Sequence, residues 1–192
     1  MTILVREETI GALPEYGRVP ISFSVMSRLR IQPIDNGLGG LLLIEEPVAV
    51  PYIKDYDSLP GEGPAHWPEF WDLSHWGILS AFAGETRIGG AAVAWKTQGV
   101  EMLEGRTDLA VLWDLRVHPD YRGRGVGHRL FAHAMAWAQK RACTRLKIET
   151  QNINVPACRF YARQGCTLGS IHRYAYQGAE QDEVQLLWYR DL

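Results

Sequence analysis

The run Arg122-Gly123-Arg124-Gly125-Val126-Gly127 is the segment best fitted for chemistry. Glycines there let the backbone adopt positive φ and approach a ligand closely. A helix that starts at such a turn presents unpaired N–H groups and the positive end of its dipole, which suits a phosphate. Arg122, Arg124 and Arg129 add charge-assisted donors around it. The spacing rejects two familiar phosphate loops: no Lys-Ser or Lys-Thr follows the glycines, and Gly-x-Gly-x-Gly replaces Gly-x-Gly-x-x-Gly. Further along the chain, Asp114 interrupts an apolar run, Glu149 closes another, and Tyr161 follows Pro156 by five residues. An acid in such a place serves as a general base or an amine binder, or simply as a salt-bridge partner; a tyrosine serves as a proton donor or as core. His118, His128 and His133 flank the glycine turn without a second ligand at metal spacing, so no metal site is expected.

These residues need elements to hold them. Leu109–Val117 (LAVLWDLRV) reads as a strong strand, broken by His118-Pro119-Asp120. Val126–Arg141 carries apolar residues at 126, 130, 131, 134, 137 and 138, a helical spacing with one buried face. Arg145–Glu149 is a short strand. Asn154 then caps a helix that has Pro156 in its first turn and ends at Gly165. Upstream, Gly77–Ala83 and Ile88–Trp95 form a hairpin; downstream, Thr167–Tyr176 and Glu183–Tyr189 are closing strands. Ile21–Ile31 alternates as a strand would, and Gly40–Ile44 is a second apolar run. Pro47–Trp76, with five prolines, reads as a long loop containing at most a short helix. The expected class is α+β with a mixed sheet, arranged as a lead-in over residues 1–20 and a single domain over 21–192.

Composition narrows the partners. The chain has 192 residues, 46% of them hydrophobic, with net charge −2, which argues for a globular domain and against a general nucleic-acid binder. The three cysteines form no CxxC pair, no apolar run reaches membrane-spanning length, and a cytoplasmic protein is expected. Charge is segregated. Residues 116–147 hold eight basic side chains against Asp120, and residues 45–72 hold seven acids against Lys54. The basic tract suits a polyanion; the acidic one suits a cation or merely a solvated loop.

Arg122, Gly125 and Gly127 resemble the acetyl-coenzyme A motif Arg/Gln-x-x-Gly-x-Gly/Ala of the GNAT superfamily of N-acetyltransferases. Asn154, Ala157, Phe160 and Tyr161 resemble its second block, Asn-x-x-Ala-x-x-Phe-Tyr, and the likeness covers roughly residues 76–189. Glu149–Asn154, Ala157–Tyr161, Trp188-Tyr189 and, more weakly, Pro51–Tyr56 are similar to the streptothricin acetyltransferases within it; Cys166 departs, standing where an aromatic is usual. The resemblance implies the GNAT fold, a central mixed, mostly antiparallel sheet flanked by helices. It implies acetyl-CoA as co-substrate and direct transfer to a primary amine, with no metal. It places the main chain of Leu115, Arg116 and Val117 on the pantetheine. It puts Arg122, Gly123, Arg124, Gly125, Val126, Gly127 and His128 on the pyrophosphate. Asn154 would bond the pantetheine arm, Tyr161 would protonate the leaving thiolate, and Asp114 or Glu149 would accept the amine proton. Tyr52, Asp55 and Tyr56, on the acidic tract, are candidates to meet a small cationic amine such as an antibiotic inactivated in resistance. A protein or peptide N-acetyltransferase and a non-catalytic acetyl-CoA-binding module remain as alternatives; a homodimer fits a chain of this size.

Overall fold

The computed structural model describes residues 2–58 and 61–192. In chain order the elements are β1 (Leu4–Glu8), α1 (Leu13–Tyr16), β2 (Phe23–Pro33), β3 (Leu41–Lys54), α2 (Trp67–Phe70), β4 (Gly77–Ala83), β5 (Thr86–Ala94), β6 (Leu109–Val117), α3 (Val126–Gln139), β7 (Arg145–Gln151), α4 (Val155–Arg163), β8 (Thr167–His172) and β9 (Gln185–Asp191). Contacts divide the chain into two compact units. The first comprises residues 1–22, 55–148 and 189–192; the second comprises residues 23–54 and 149–188. Among the described residues no helix is long and apolar enough to cross a membrane.

In the first unit the strand order is β1-β4-β5-β6-β7. The pairings are antiparallel except β6 with β7, which is parallel, as a mixed sheet requires. The sheet is buried on both faces, so β4 and β5 read as continuous apolar runs rather than alternating ones. Helix α3 lays Val126, Leu130, Phe131, Ala134, Trp137 and Ala138 onto β4, β5 and β6. A second layer, centred on Leu13, Tyr16, Trp67 and Trp76, packs with Ile78, Ala92, Ala94 and Val111. Small residues in the sheet make this approach possible: a Cβ at Gly90 would overlap the Tyr16 ring, and one at Gly77 would overlap Trp137. The segment expected as a lead-in therefore contributes β1, paired antiparallel with β4, and two fully buried side chains of α1.

In the second unit β2 and β3 form a long antiparallel hairpin, with Phe23 opposite Lys54 and Pro33 opposite Leu41. This corrects the loop expected from Pro47, since β3 continues to Lys54. The prolines misled because they cannot donate to a ladder. Here the register breaks between Val25 and Ser27, and Pro51 falls inside the break. Asn152 fastens the hairpin: its N–H₂ donates to the Leu29 carbonyl, its own carbonyl accepts the Leu29 N–H, and its Oδ1 accepts the Val184 N–H. Helix α4 begins at Asn154 as expected, and β8 lies beside β9.

Candidate functional site

The glycine turn takes the form that its residues demand. Gly123 and Gly125 have φ of +74° and +83°, and among the described residues beyond their chain neighbours nothing lies within 4 Å of where their Cβ atoms would stand. Gly125 is the N-cap of α3, makes no side-chain cap and is followed by a first turn with no acid. The leading amides of α3 thus keep their N–H groups for an outside acceptor. Arg124 stacks over Tyr121, with 5.6 Å from its Cζ to the ring centroid. Arg122, an exposed side chain, is tied to the main chain: its Nε donates to the Val117 carbonyl at 3.0 Å and its Nη2 to the Ser22 carbonyl at 2.8 Å. Desolvation lowers its pKa. Its role is to brace the turn against the end of β6 while its charge stays near the helix terminus. The arrangement is an anion cradle built from main-chain donors.

Strand β6 leads into this cradle. It pairs with β7 from Leu109 opposite Arg145 to Leu112 opposite Ile148. On the other side, Ala92 faces Asp114 while Val93 faces Leu112, which makes Trp113 the extra residue of a β-bulge. Beyond the bulge, residues 114–117 keep their β5 partners.

The bulge also decides what Asp114 and Arg116 do. One extra residue reverses the alternation of faces, turning both side chains to the Tyr16 side of the sheet. The Tyr16 hydroxyl donates to Asp114 Oδ1 at 2.5 Å. Arg116 donates from Nε to Oδ1 at 2.9 Å and from Nη2 to Oδ2 at 2.6 Å. Arg116 Nη1 also donates to Asp57 Oδ2 at 2.6 Å and to the Val19 carbonyl at 3.1 Å. The Arg116 side chain is 1% exposed. Burial alone would lower its pKa, yet the charge of Asp114 and the bond to Asp57 raise it overall. Tyr16 is pushed well above its ordinary value, first by desolvation and then by the charge of Asp114. Asp114, a candidate base, is thus committed to a guanidinium and a phenol. Arg116, expected to matter only through its main chain, is a structural cation. Tyr16 was not foreseen; it lies 98 residues from Asp114 and no local signal links them.

In the second unit Glu149 stands on β7 with its carboxylate in a neutral polar cluster. Oε1 accepts from the Tyr176 hydroxyl at 2.6 Å and from Gln151 Nε2 at 3.4 Å; Oε2 accepts from Gln185 Nε2 at 2.9 Å. Tyr176 and Gln185 carried no signal in sequence. Asn154 caps α4 through a bond from the Ala157 N–H to its Oδ1 at 3.2 Å. Tyr161 is buried on α4, edge-on to Phe160 with 5.1 Å between ring centroids. Cys158 beside it is closed in by Thr150, and burial pushes its thiol pKa up.

The acids of residues 45–72 do not form one open loop. Glu45 pairs with Arg159, Glu46 with Arg28 and Arg30, Asp57 with Arg116, and Glu69 with His66. Tyr52 lies exposed on β3 in the second unit. Asp55 and Tyr56 belong to the first, where Asp55 Oδ1 accepts the Asp57 N–H at 3.1 Å. A surface cleft of about 420 Å³ in the first unit is lined by Pro14, Arg18, Asp57, Ser58 and His66, among others. Among the described residues no three His, Cys, Asp or Glu side chains converge on a common point to hold a metal.

Comparison with known proteins places this geometry. Residues 50–166 match the model of the acetyltransferase (GNAT) family, more than half of the chain. The streptothricin acetyltransferase of Escherichia coli is 38% identical over 92 residues, 47% of this chain and 53% of that protein. Streptothricin acetyltransferase A of Bacillus subtilis (strain 168) is 36% identical over 81 residues, 42% of this chain and 47% of that protein. The chain thus spans about half the length of these two relatives. A solved structure of a candidate streptothricin acetyltransferase from Bacillus anthracis str. Ames, in complex with acetyl coenzyme A, is similar with a TM-score of 0.76 and 27% identity. That likeness covers 100% of both chains.

Proposed function

Because the chain belongs to the GNAT acetyltransferase family, we propose that it transfers the acetyl group of acetyl-CoA directly to a primary amine of a streptothricin-type antibiotic. The observation that carries the reading is the cradle at residues 122–128, which follows the end of β6: two left-handed glycines, an uncapped helix terminus and the bracing Arg122. A pyrophosphate fits it, since the leading amides of α3 are uncapped, no acid stands in the first turn, and the left-handed glycines leave open space beside them. The main chain of Leu115 and Val117 meets the pantetheine amides, while that of the intervening Arg116 faces β5. Bound acetyl-CoA supplies the activated acyl carbon.

The remaining work falls to side chains. An alkyl ammonium, with a pKa of about 10.4, must lose a proton before its nitrogen can attack. Glu149, whose hydrogen-bond partners are neutral, serves as amine binder and proton acceptor better than Asp114, which is already paired with Arg116. As the C–N bond forms and the C–S bond breaks, the Tyr161 hydroxyl gives its proton to the leaving thiolate. Asn154 holds the start of α4 and with it the ring of Tyr161.

The test is incubation of the purified chain with acetyl-CoA and streptothricin, following free coenzyme A thiol and the mass of the antibiotic. Thiol release dependent on the antibiotic, with one acetyl group added, supports the reading. Release no faster than without an amine refutes it. Preferential acetylation of an alanine-terminated peptide in the same panel would assign the chain to protein N-acetylation instead.

A further inference from the structure

We propose that Tyr176 and Gln185 are positioning residues for Glu149, and that they make its carboxylate a receptor for the substrate ammonium. This rests on the acetyl-transfer reading above. The observation is a contrast among the glutamates of the second unit. Glu46 is held by Arg28 and Arg30, Glu45 by Arg159, and Glu183 by Lys54 at 2.8 Å. Glu149, half-buried on β7, makes no ion pair among the described residues and is fixed by neutral donors instead.

That difference has a chemical consequence. An Arg or Lys partner cancels a carboxylate's charge; amide and phenol donors orient it and leave the charge to be met by a ligand. Gln151 Nε2 donates to the Tyr176 oxygen at 2.9 Å, which directs the Tyr176 proton to Glu149 Oε1. Oε1 receives two donors and Oε2 receives one, from Gln185. A carboxylate accepts about four hydrogen bonds, so one lone pair on Oε2 remains for an N–H donor. A primary ammonium supplies both the donor and the balancing charge. The aim of that lone pair is set by Tyr176 on one side and Gln185 on the other.

Steady-state kinetics of Tyr176→Phe and Gln185→Met, with streptothricin and acetyl-CoA varied separately, test the proposal. Each variant removes one donor and keeps most of the volume. Each should raise the KM for streptothricin about tenfold or more, the worth of one hydrogen bond to a charged group, and leave the KM for acetyl-CoA unchanged. If Tyr176→Phe fails to fold, Gln185→Met decides alone. Equal rises in both KM values, or a lowered melting temperature with neither KM altered, would show packing residues and overturn the proposal. Glu149→Gln separates the two ideas. If it is impaired while both donor variants behave as wild type, the positioning role fails and the acetyl-transfer reading stands. A wild-type chain that neither binds nor acetylates streptothricin sinks both.

Discussion

Asp114→Asn turns one oxygen of a buried carboxylate into an NH₂ group, so that a donor faces the Arg116 guanidinium. The side chains of the pair are 5% and 1% exposed, too deep for solvent to screen the change. Breaking a buried ion pair by removing one partner costs about 3–5 kcal/mol, because the other charge is left behind. Here the other charge is not wholly abandoned, since Asp57 stays on the same guanidinium at 2.6 Å. The Tyr16 hydroxyl can also still donate to the asparagine oxygen. The loss should therefore sit near the lower end, about 3 kcal/mol. Asp57→Asn, at a side chain 23% exposed, leaves the Asp114 pair intact and should cost only about 1 kcal/mol. Urea unfolding followed by tryptophan fluorescence is the assay, because Trp67, Trp71, Trp76 and Trp113 pack in the same layer as Tyr16. The midpoint should fall with little change in slope. In a cycle with Arg116→Met, the double variant should cost clearly less than the two singles together, because both break one pair. The reasoning is refuted if Asp114→Asn unfolds like wild type while its turnover collapses, for Asp114 would then be a base and not a strut. Strict additivity in the cycle would refute it as well.

Three further outcomes follow from the same geometry. The raised pKa of Tyr16 means the folded state favours the protonated phenol. Its contribution is whole below the unfolded pKa of about 10 and drains away as pH rises beyond it, so wild type should lose stability more steeply in that range than Tyr16→Phe; parallel losses would refute this. Gly125→Ala, at φ +83°, should cost about 1–2 kcal/mol of stability with modest loss of acetyl-CoA affinity. Gly125→Asp should abolish most of that affinity by calorimetry, and normal binding would move the phosphate site elsewhere. Tyr161→Phe should keep acetyl-CoA affinity while turnover falls on the order of tenfold to a thousandfold; unchanged turnover at saturating substrate would make Tyr161 a core residue beside Phe160.

The parts of the molecule written in short-range patterns could be read directly. The strand at Leu109–Val117 keeps its expected bounds, α3 keeps its buried stripe, and Asn154 caps α4, because apolar period, glycine conformation and capping act within a few residues. The glycine turn was legible for the same reason: only a residue without a Cβ takes φ near +80° at no cost. Segments whose structure depends on a distant partner were not. Residues 4–8 are a strand because β4 lies beside them, and residues 47–54 are a strand because β2 does. The roles of the polar residues were decided later still. Trp113 bulges only against β5, and that one-residue slip carries Asp114 and Arg116, which share a face in any register, to the side of the sheet where Tyr16 meets them. Glu149 meets Tyr176 across 27 residues and Gln185 across 36. A carboxylate's chemistry depends on the charge and direction of its neighbours, and tertiary folding supplies Tyr16 to Asp114, and Tyr176 and Gln185 to Glu149.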